Sequence, residues 1–356
     1  MSGVGASRYD PDRAALSDLL DGEPGYRLEQ LWDGLYRQGR PLEEITGLPG
    51  PLRSRLAAAL PTALEAAAEQ RTDDGATTKW LWRLRDGAAV ETVLMHYDDR
   101  TTVCVSTQAG CAMACGFCAT GQAGFERQLG VGEIVEQVVR ARWAAGDRRV
   151  SNVVFMGMGE PLANFDATWG AVERLHEDVG IGARHLTVST VGIVPGIRRL
   201  TEAGLPVGLA VSLHAADDEL RDELVPINRR YPIAELLDAC DGYRSRTGRR
   251  VTFEWALIAG VNDRFEDVDR LLPLARRLSA HVNLIPLNPT PGYPVVGSSR
   301  NRVHAFRDRL AAGGVAVTIR DTRGRDIDAA CGQLRAGHPV QVDIPTRDRG
   351  TMSPGT

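Results

Sequence analysis

The sequence predicts an α/β fold: an incomplete parallel barrel of about six β-α units, a partial (β/α)6 arrangement, preceded by a small helical unit. Three observations carry that reading. After residue 130, short apolar runs alternate with amphipathic helical stretches, the pattern of a parallel sheet covered by helices. The runs are too few to close an eight-fold barrel. Polar and glycine-containing segments fall just after the apolar runs, at the carboxyl ends of the predicted strands, where parallel barrels collect their chemistry.

The elements follow in order. Residues 1–25 are punctuated by Gly, Pro and Asp. Leu28, Leu31, Trp32, Leu35 and Tyr36 recur at helical spacing and form one apolar stripe, which Gly39 ends. A second short helix is expected after Leu42, then a Gly-Leu-Pro-Gly turn at 47–50 and a third helix over 51–69. Two helices around such a turn resemble a helix-hairpin-helix module, although an ordinary three-helix packing unit explains the pattern as well. At Thr77 the period changes. Runs at 79–84 and 89–94 flank Asp86-Gly87, a hairpin signal, and a third strand is expected over 101–106. Helix 132–143 follows. Strands are then predicted at 150–156, 185–190, 207–213, 250–258, 282–287 and 315–319, with helices at 165–178, 195–203, 233–247, 266–280 and 299–313. The implied division is a helical unit (1–75), a β-hairpin extension (76–106), the barrel (107–343) and a tail (344–356).

Composition bounds the function. The 356 residues are 43% hydrophobic and 25% charged, ordinary for a globular chain with a real core. No apolar run approaches the roughly 18 residues that span a bilayer, and the first residues carry no apolar export signal, so a cytoplasmic protein without membrane contact is expected. In that compartment six cysteines read as metal-binding or catalytic rather than as a disulfide scaffold. A net charge of −4 disfavours an indiscriminate polyanion binder but leaves room for a local basic patch. Lys79 is the sole lysine; the other basic residues are arginines, whose forked donors suit phosphate.

The chemistry concentrates at Cys111, Cys115 and Cys118, spaced C-x3-C-x2-C. Three thiolates can hold a cubane iron–sulfur cluster with one iron left open, whereas a structural zinc needs a fourth ligand. Cys104 could supply that ligand, which keeps a zinc-stabilised RNA-binding module as an alternative. Cys240, inside a predicted helix, reads as a small core hydrophobe. Glu91, among apolar residues of a strand, is either solvent-facing or a general base. Gly157-Met158-Gly159-Glu160, Ser189, Ser212-Leu213-His214, Asn288 and the loop around Cys331 all follow predicted strands. His214 has no second histidine at ligand spacing, so orienting a cofactor suits it better than binding metal.

These residues resemble the radical S-adenosylmethionine (SAM) enzymes, through the three-cysteine loop and the Gly157–Glu160 strand end. The segments 103–108, 118–125, 155–161, 189–195, 212–214, 225–228 and 329–332 are similar, more narrowly, to the RlmN family of dual-specificity RNA adenine methyltransferases. The resemblance implies a TIM-like radical SAM barrel with a helical accessory domain and methylation of adenine carbon 2 in 23S rRNA and tRNA. It further implies one [4Fe–4S] cluster on Cys111, Cys115 and Cys118 and two SAM molecules per turnover. SAM contacts would fall on Gly159, Glu160, Ser189, Ser212, Leu213, His214 and Asn288. Cys331 would carry the methyl group, Glu91 would accept the ring proton, and Cys104 would close a disulfide with Cys331. A one-electron donor such as flavodoxin, a thiol reductant and a monomeric state complete the expectation. The neighbouring alternatives are methylation at carbon 8 of the same base and a radical SAM reaction on a small molecule.

Overall fold

The computed structural model describes residues 7–288, 295–320, 327 and 333. Cys331, most of the segment 326–332 and the expected tail lie outside the described residues.

Helices α1 (Arg13–Leu19), α2 (Tyr26–Trp32) and α3 (Gly50–Ala59) form the leading unit. The predicted stripe is its core: Leu31, Trp32, Leu35 and Tyr36 are buried, with Trp32 and Tyr36 rings 4.6 Å apart. The helix expected after Leu42 is only a 3-10 turn, Leu42–Glu44. The helix expected to reach residue 69 stops at Ala59. Pro61 lacks an amide hydrogen and pushes Leu60 out of the helical region, where Leu60 has φ −118° and ψ 79°. The Ala- and Glu-rich run beyond it is strand β1 (Glu65–Thr72). Its intrinsic helix propensity is a weak prior, and pairing decides: it lies antiparallel to β2 (Thr77–Arg83), from Glu65 opposite Arg83 to Thr72 opposite Thr77.

Strands β3 (Ala89–His96) and β4 (Thr101–Cys104) extend the antiparallel part, and Gly87 with φ 92° makes the predicted hairpin turn. A small two-stranded sheet, β5 (Gln108–Gly110) with β6 (Phe125–Gln128), encloses the cysteine loop and α4 (Ala119–Ala123). The chain then alternates through α5 (Val131–Ala145), β7 (Asn152–Phe155), α6 (Phe165–Glu177), β8 (Leu186–Thr190), α7 (Val194–Glu202) and β9 (Gly208–Ser212). It continues with α8 (Asp218–Leu224), α9 (Ile233–Thr247), β10 (Val251–Leu257), α10 (Phe265–Arg277), β11 (His281–Pro286), α11 (Arg300–Ala312) and β12 (Ala316–Ile319). Among the described residues the main sheet runs β1-β2-β3-β4-β7-β8-β9-β10-β11-β12. Every neighbouring pair from β4 to β12 is parallel, so six parallel crossovers build an open barrel, as the sequence predicts.

The strands divide their faces by period two. Val188, Val211, Phe253, Trp255 and Leu284 are buried in the core. Opposite-phase positions form a polar row across neighbouring strands, with Ser212 beside Glu254, Glu254 beside Asn283 and Asn283 beside Thr318.

The helical unit is fastened to the barrel through α5. The buried Glu136 carboxylate accepts bonds from Ser7 Oγ (2.7 Å), Ala63 N (2.9 Å) and Leu64 N (3.3 Å) and pairs with Arg140. Asp10 Oδ1 accepts from Gly132 N at 2.7 Å, and Arg142 donates to the Tyr36 carbonyl at 2.7 Å. Replacing Glu136 by Ala strands buried donors. We expect a loss of about 3 kcal/mol, read from the midpoint of denaturant unfolding.

Candidate active site

A cavity opens at the carboxyl ends of the parallel strands. Cys111, Cys115, Cys118, Gly159, Glu160, Ser189, Ser212, His214 and Asn288 all line it. Residues as far apart in the chain as Cys111 and Asn288 thus meet because each ends, or follows, one parallel strand.

The cysteine loop starts at Gly110, whose φ of 73° and close approach to the Gly124 carbonyl leave no room for a side chain. That carbonyl accepts from Cys111 N at 2.6 Å, and the Cys115 carbonyl accepts from Cys118 N at 3.1 Å. Burial pushes the Cys111 thiol up to about 12 and Cys115 higher still, and each is raised further by its neighbouring cysteines. Held this way the thiols are not anionic by themselves; a bound cationic centre would make them so. Among the described residues no group of three His, Cys, Asp or Glu side chains already stands ready to hold a metal, but the three thiols line the same cavity.

The Gly-x-Gly segment lies flat on the chain that leads into this loop. A Cβ on Gly157 would sit 2.6 Å from the Val105 carbonyl oxygen. One on Gly159, where φ is +100°, would sit 2.6 Å from the Gln108 Cβ. The contact is sewn by Thr107 N to the Met158 carbonyl (2.8 Å), Met158 N to Ser106 Oγ (2.9 Å) and Glu160 N to Gln108 Oε1 (2.7 Å). Glu160 is wholly enclosed. Its oxygens accept from Leu162 N (3.0 Å) and Val191 N (2.9 Å), yet burial outweighs these donors and lifts the carboxyl to about 7.

His214 has φ 60°, uncommon for a residue with a side chain, and Ala215 N donates across it to the Leu213 carbonyl at 2.8 Å. A bond spanning two residues around a positive φ is the mark of a strained γ-turn. The turn aims the ring into the cavity, edge-on to Phe117 with centroids 4.8 Å apart. Ala256 N donates to Nδ1 at 3.0 Å, so the proton sits on Nε2. Burial, helped by the Arg221 charge, lowers the imidazole to about 3. It is a neutral hydrogen-bond donor.

The sequence pattern described as the radical SAM superfamily matches residues 105–272. The chain is 50% identical over 363 residues to the probable dual-specificity RNA methyltransferase RlmN of Chloroflexus aurantiacus, covering 96% of both chains. It is 53% identical over 328 residues to the protein of the same name from Salinispora tropica, covering 88% of both. A solved radical SAM methyltransferase from Sphaerobacter thermophilus superposes with a TM-score of 0.90 at 51% identity, over 94% of this chain and all of that one. The chain belongs to the RlmN family.

Membership in this radical SAM family implies an iron–sulfur cluster and SAM, and the residues fit both. Three thiols line the cavity, those of Cys111 and Cys115 buried and that of Cys118 half-buried. Past them, Glu160 and the Nε2–H of His214 offer a carboxyl and a donor to a ligand that carries an ammonium and a carboxylate. Four positions stand apart from this cavity lining. The Leu213 side chain is in the core. Glu91 and Cys104 belong to β3 and β4, and Cys331 is outside the described residues. Glu91 is buried and its carboxylate lies 3.5 Å from Lys79 Nζ, which corrects the solvent-facing alternative. Cys104 does not line the cavity with the other three thiols, so the four-cysteine zinc site is not assembled. Cys240 is buried in α9, as expected.

Sequence reasoning passed over Glu254 and Arg320, which also line the cavity. Asn283 donates to Glu254 Oε2 at 2.8 Å, and Arg320 stands 3.9 Å from it. The signal was available for Glu254: like Glu91, it is a carboxylate inside an apolar strand.

A Gly159→Ala change is expected to cost at least about 2 kcal/mol, since it adds both a clash and positive-φ strain. Equilibrium denaturation would measure this, and titration with SAM should show binding lost before folding fails.

Proposed function

We propose that this chain methylates carbon 2 of adenine in 23S rRNA and in tRNA, using Cys331 as the methyl carrier, Glu91 as the proton acceptor and Cys104 as the resolving thiol. The relatives named above are dual-specificity RNA methyltransferases. The observation that carries the finer reading is the register of the antiparallel extension. Cys104 pairs with Val93 on one side and with Val154 on the other. Directly opposed residues share a sheet face, as do residues two apart. Glu91 therefore lies on the face of Cys104, and so does Met156, which lines the cavity. A carboxylate and a thiol on adjacent strands thus face the cavity side of the sheet, next to the site for SAM.

Carbon 2 of adenine lies between two ring nitrogens and is electron-poor, so it is a weak nucleophile toward a methyl sulfonium. Cluster and SAM, when bound, supply an electrophilic methyl group and a carbon radical able to add to such a ring. The protein's share is placement and proton transfer. Cys111, Cys115 and Cys118 hold the cluster. Glu160 receives the SAM ammonium, whose charge favours the ionised carboxylate that burial alone opposes. Ser212, His214 and Asn288 donate to the remaining polar groups, Ser189, whose hydroxyl hydrogen goes to the Phe155 carbonyl at 2.7 Å, accepts, and Leu213 contributes main chain. Glu91, whose carboxylate lies 3.5 Å from Lys79 Nζ, takes the ring proton. Cys104 attacks Cys331, which forms a disulfide and releases the methylated RNA from a transient protein–RNA adduct. External one-electron and thiol reductants would restore both centres. A loop adenine suits such a site, because unstacking a base costs a few kcal/mol and least where the base is not paired.

Mapping methylated adenines in both RNAs, with and without the gene, tests the proposal. We expect 2-methyladenosine to disappear from 23S rRNA and tRNA on deletion. Finding 8-methyladenosine in its place would move the site of reaction, and no change in either RNA would point to a small-molecule substrate. Anaerobic purification should give a brown protein with about four irons per chain, which Cys115→Ala abolishes; a colourless zinc protein would end the radical reading. Cys104→Ala should accumulate a covalent protein–RNA species on denaturing gels, whereas free protein alone after turnover would refute the resolving role.

A further inference from the structure

Arg221, on α8, is fully buried, although its segment Asp-Asp-Glu-Leu-Arg-Asp-Glu reads as a solvated helix face. A buried guanidinium is costly unless its donors are satisfied, and here they reach two segments that line the cavity, at Val191 and at Ser212, and a third at Asn228 behind them. Nη2 donates to the Val191 carbonyl after β8 at 2.6 Å and to the Ser212 carbonyl ending β9 at 3.2 Å. Nε donates to the Leu213 carbonyl at 3.1 Å, and Nη1 to Asn228 Oδ1 at 2.7 Å. Asn228 in turn donates to Asp218 (3.0 Å) and Asp222 (2.7 Å), so one amide connects the cation to two carboxylates. Gly192, with φ 110°, leaves space: a Cβ there would stand 3.3 Å from Nη2.

The partners decide what this arrangement does. The Leu213 carbonyl that receives Nε is the same one that accepts Ala215 N across the strained turn at His214. Val191, whose carbonyl receives Nη2, gives its own amide hydrogen to Glu160. Ser212 is itself a cavity residue. A single side chain that touches no cavity space therefore fixes the residues presenting His214, Ser212 and Glu160. We propose that Arg221 is a positioning residue of the SAM site, holding the ends of β8 and β9 in register and keeping His214 in its strained, inward-facing conformation. This rests on the reading that the cavity binds SAM.

The full-length protein, reconstituted with its cluster without oxygen, gives the test through equilibrium SAM binding and iron content. Arg221→Lys keeps the charge but loses the fork, and Arg221→Gln loses both. We expect both to retain iron and bind SAM about 10- to 100-fold more weakly, the loss of one or two charge-assisted bonds. The reduced cluster's electron paramagnetic resonance spectrum should also lose its full response to SAM at wild-type saturating concentration. Glu136→Ala separates positioning from stability, since its carboxylate bonds Ser7, Ala63 and Leu64 rather than any cavity residue, and should leave SAM affinity unchanged. If Arg221→Gln does not fold, Asn228→Ala decides, with an expected loss of about tenfold. Wild-type affinity in Arg221→Lys or Asn228→Ala overturns the proposal, as does an equal loss in Glu136→Ala. Absence of SAM binding by the wild-type protein would instead defeat the reading of the cavity.

Discussion

Ser106 is the constraint on which the rest of the site depends. Its hydroxyl donates to the Glu91 carbonyl at 2.6 Å and accepts from Met158 N at 2.9 Å, while its own amide donates to Gln137 Oε1 at 2.9 Å. Gln137 also returns a bond to the Ser106 carbonyl and accepts one from Thr92 Oγ1. All of this is buried, where an unmatched donor or acceptor costs about 1–3 kcal/mol. One residue therefore fixes the strand of Glu91, the Gly-x-Gly segment and α5 relative to one another. A helix that fastens the accessory unit on its outer side fastens both halves of the site on its inner side. Displacing Met158 would move Glu160 and the start of the cysteine loop together, because Gly157 and Gly159 allow no gap against residues 105–108.

Legibility followed the range of the interactions. The six strands from residue 150 onward lie within three residues of their expected ends, because parallel strands buried on both faces read as short apolar runs. The five helices expected between them read equally well, whereas α8, charged at nearly every position, was not expected. The one reversal, β1, has a local signal that points the other way: Leu-Glu-Ala-Ala-Ala-Glu favours a helix, and only the partner strand and the Trp80 indole bond to Glu69 at 2.8 Å explain a strand. No local rule supplies that partner. The small β5-β6 sheet was invisible for the same reason, since Gln-Ala-Gly has no strand pattern of its own.

The site divides in the same way. Spacing alone singled out the three cysteines, and strand ends singled out Gly159, Glu160, Ser189, Ser212 and His214 as cavity residues, because position along one strand places them. The burial of Glu91 needed the neighbouring strand and Lys79. Arg221 could not be read at all. Its helix is charged at nearly every position, and its function depends on carbonyls of segments 8 to 30 residues away. Family resemblance supplied roles for Glu91 and Cys104, and the register puts both on the cavity's side of the sheet.

Four buried ionisable groups around the cavity show how the fold handles charge before any ligand arrives. His214 avoids charge by remaining neutral. Arg221 keeps its charge, lowered only to about 10, by giving its protons to fixed carbonyls. Glu160 and Glu254 are both pushed up by burial, so neither gains full stabilisation as an anion from the protein alone. The two carboxylates are thus groups whose ionised state improves when a cation is brought to them, whereas the histidine and arginine resist change. SAM carries two cationic centres, an ammonium and a sulfonium. On the proposed reading of the cavity as a SAM site, adaptable acids and fixed donors let the ligand complete the charge balance, and a neutral analogue would leave those acids buried without a partner.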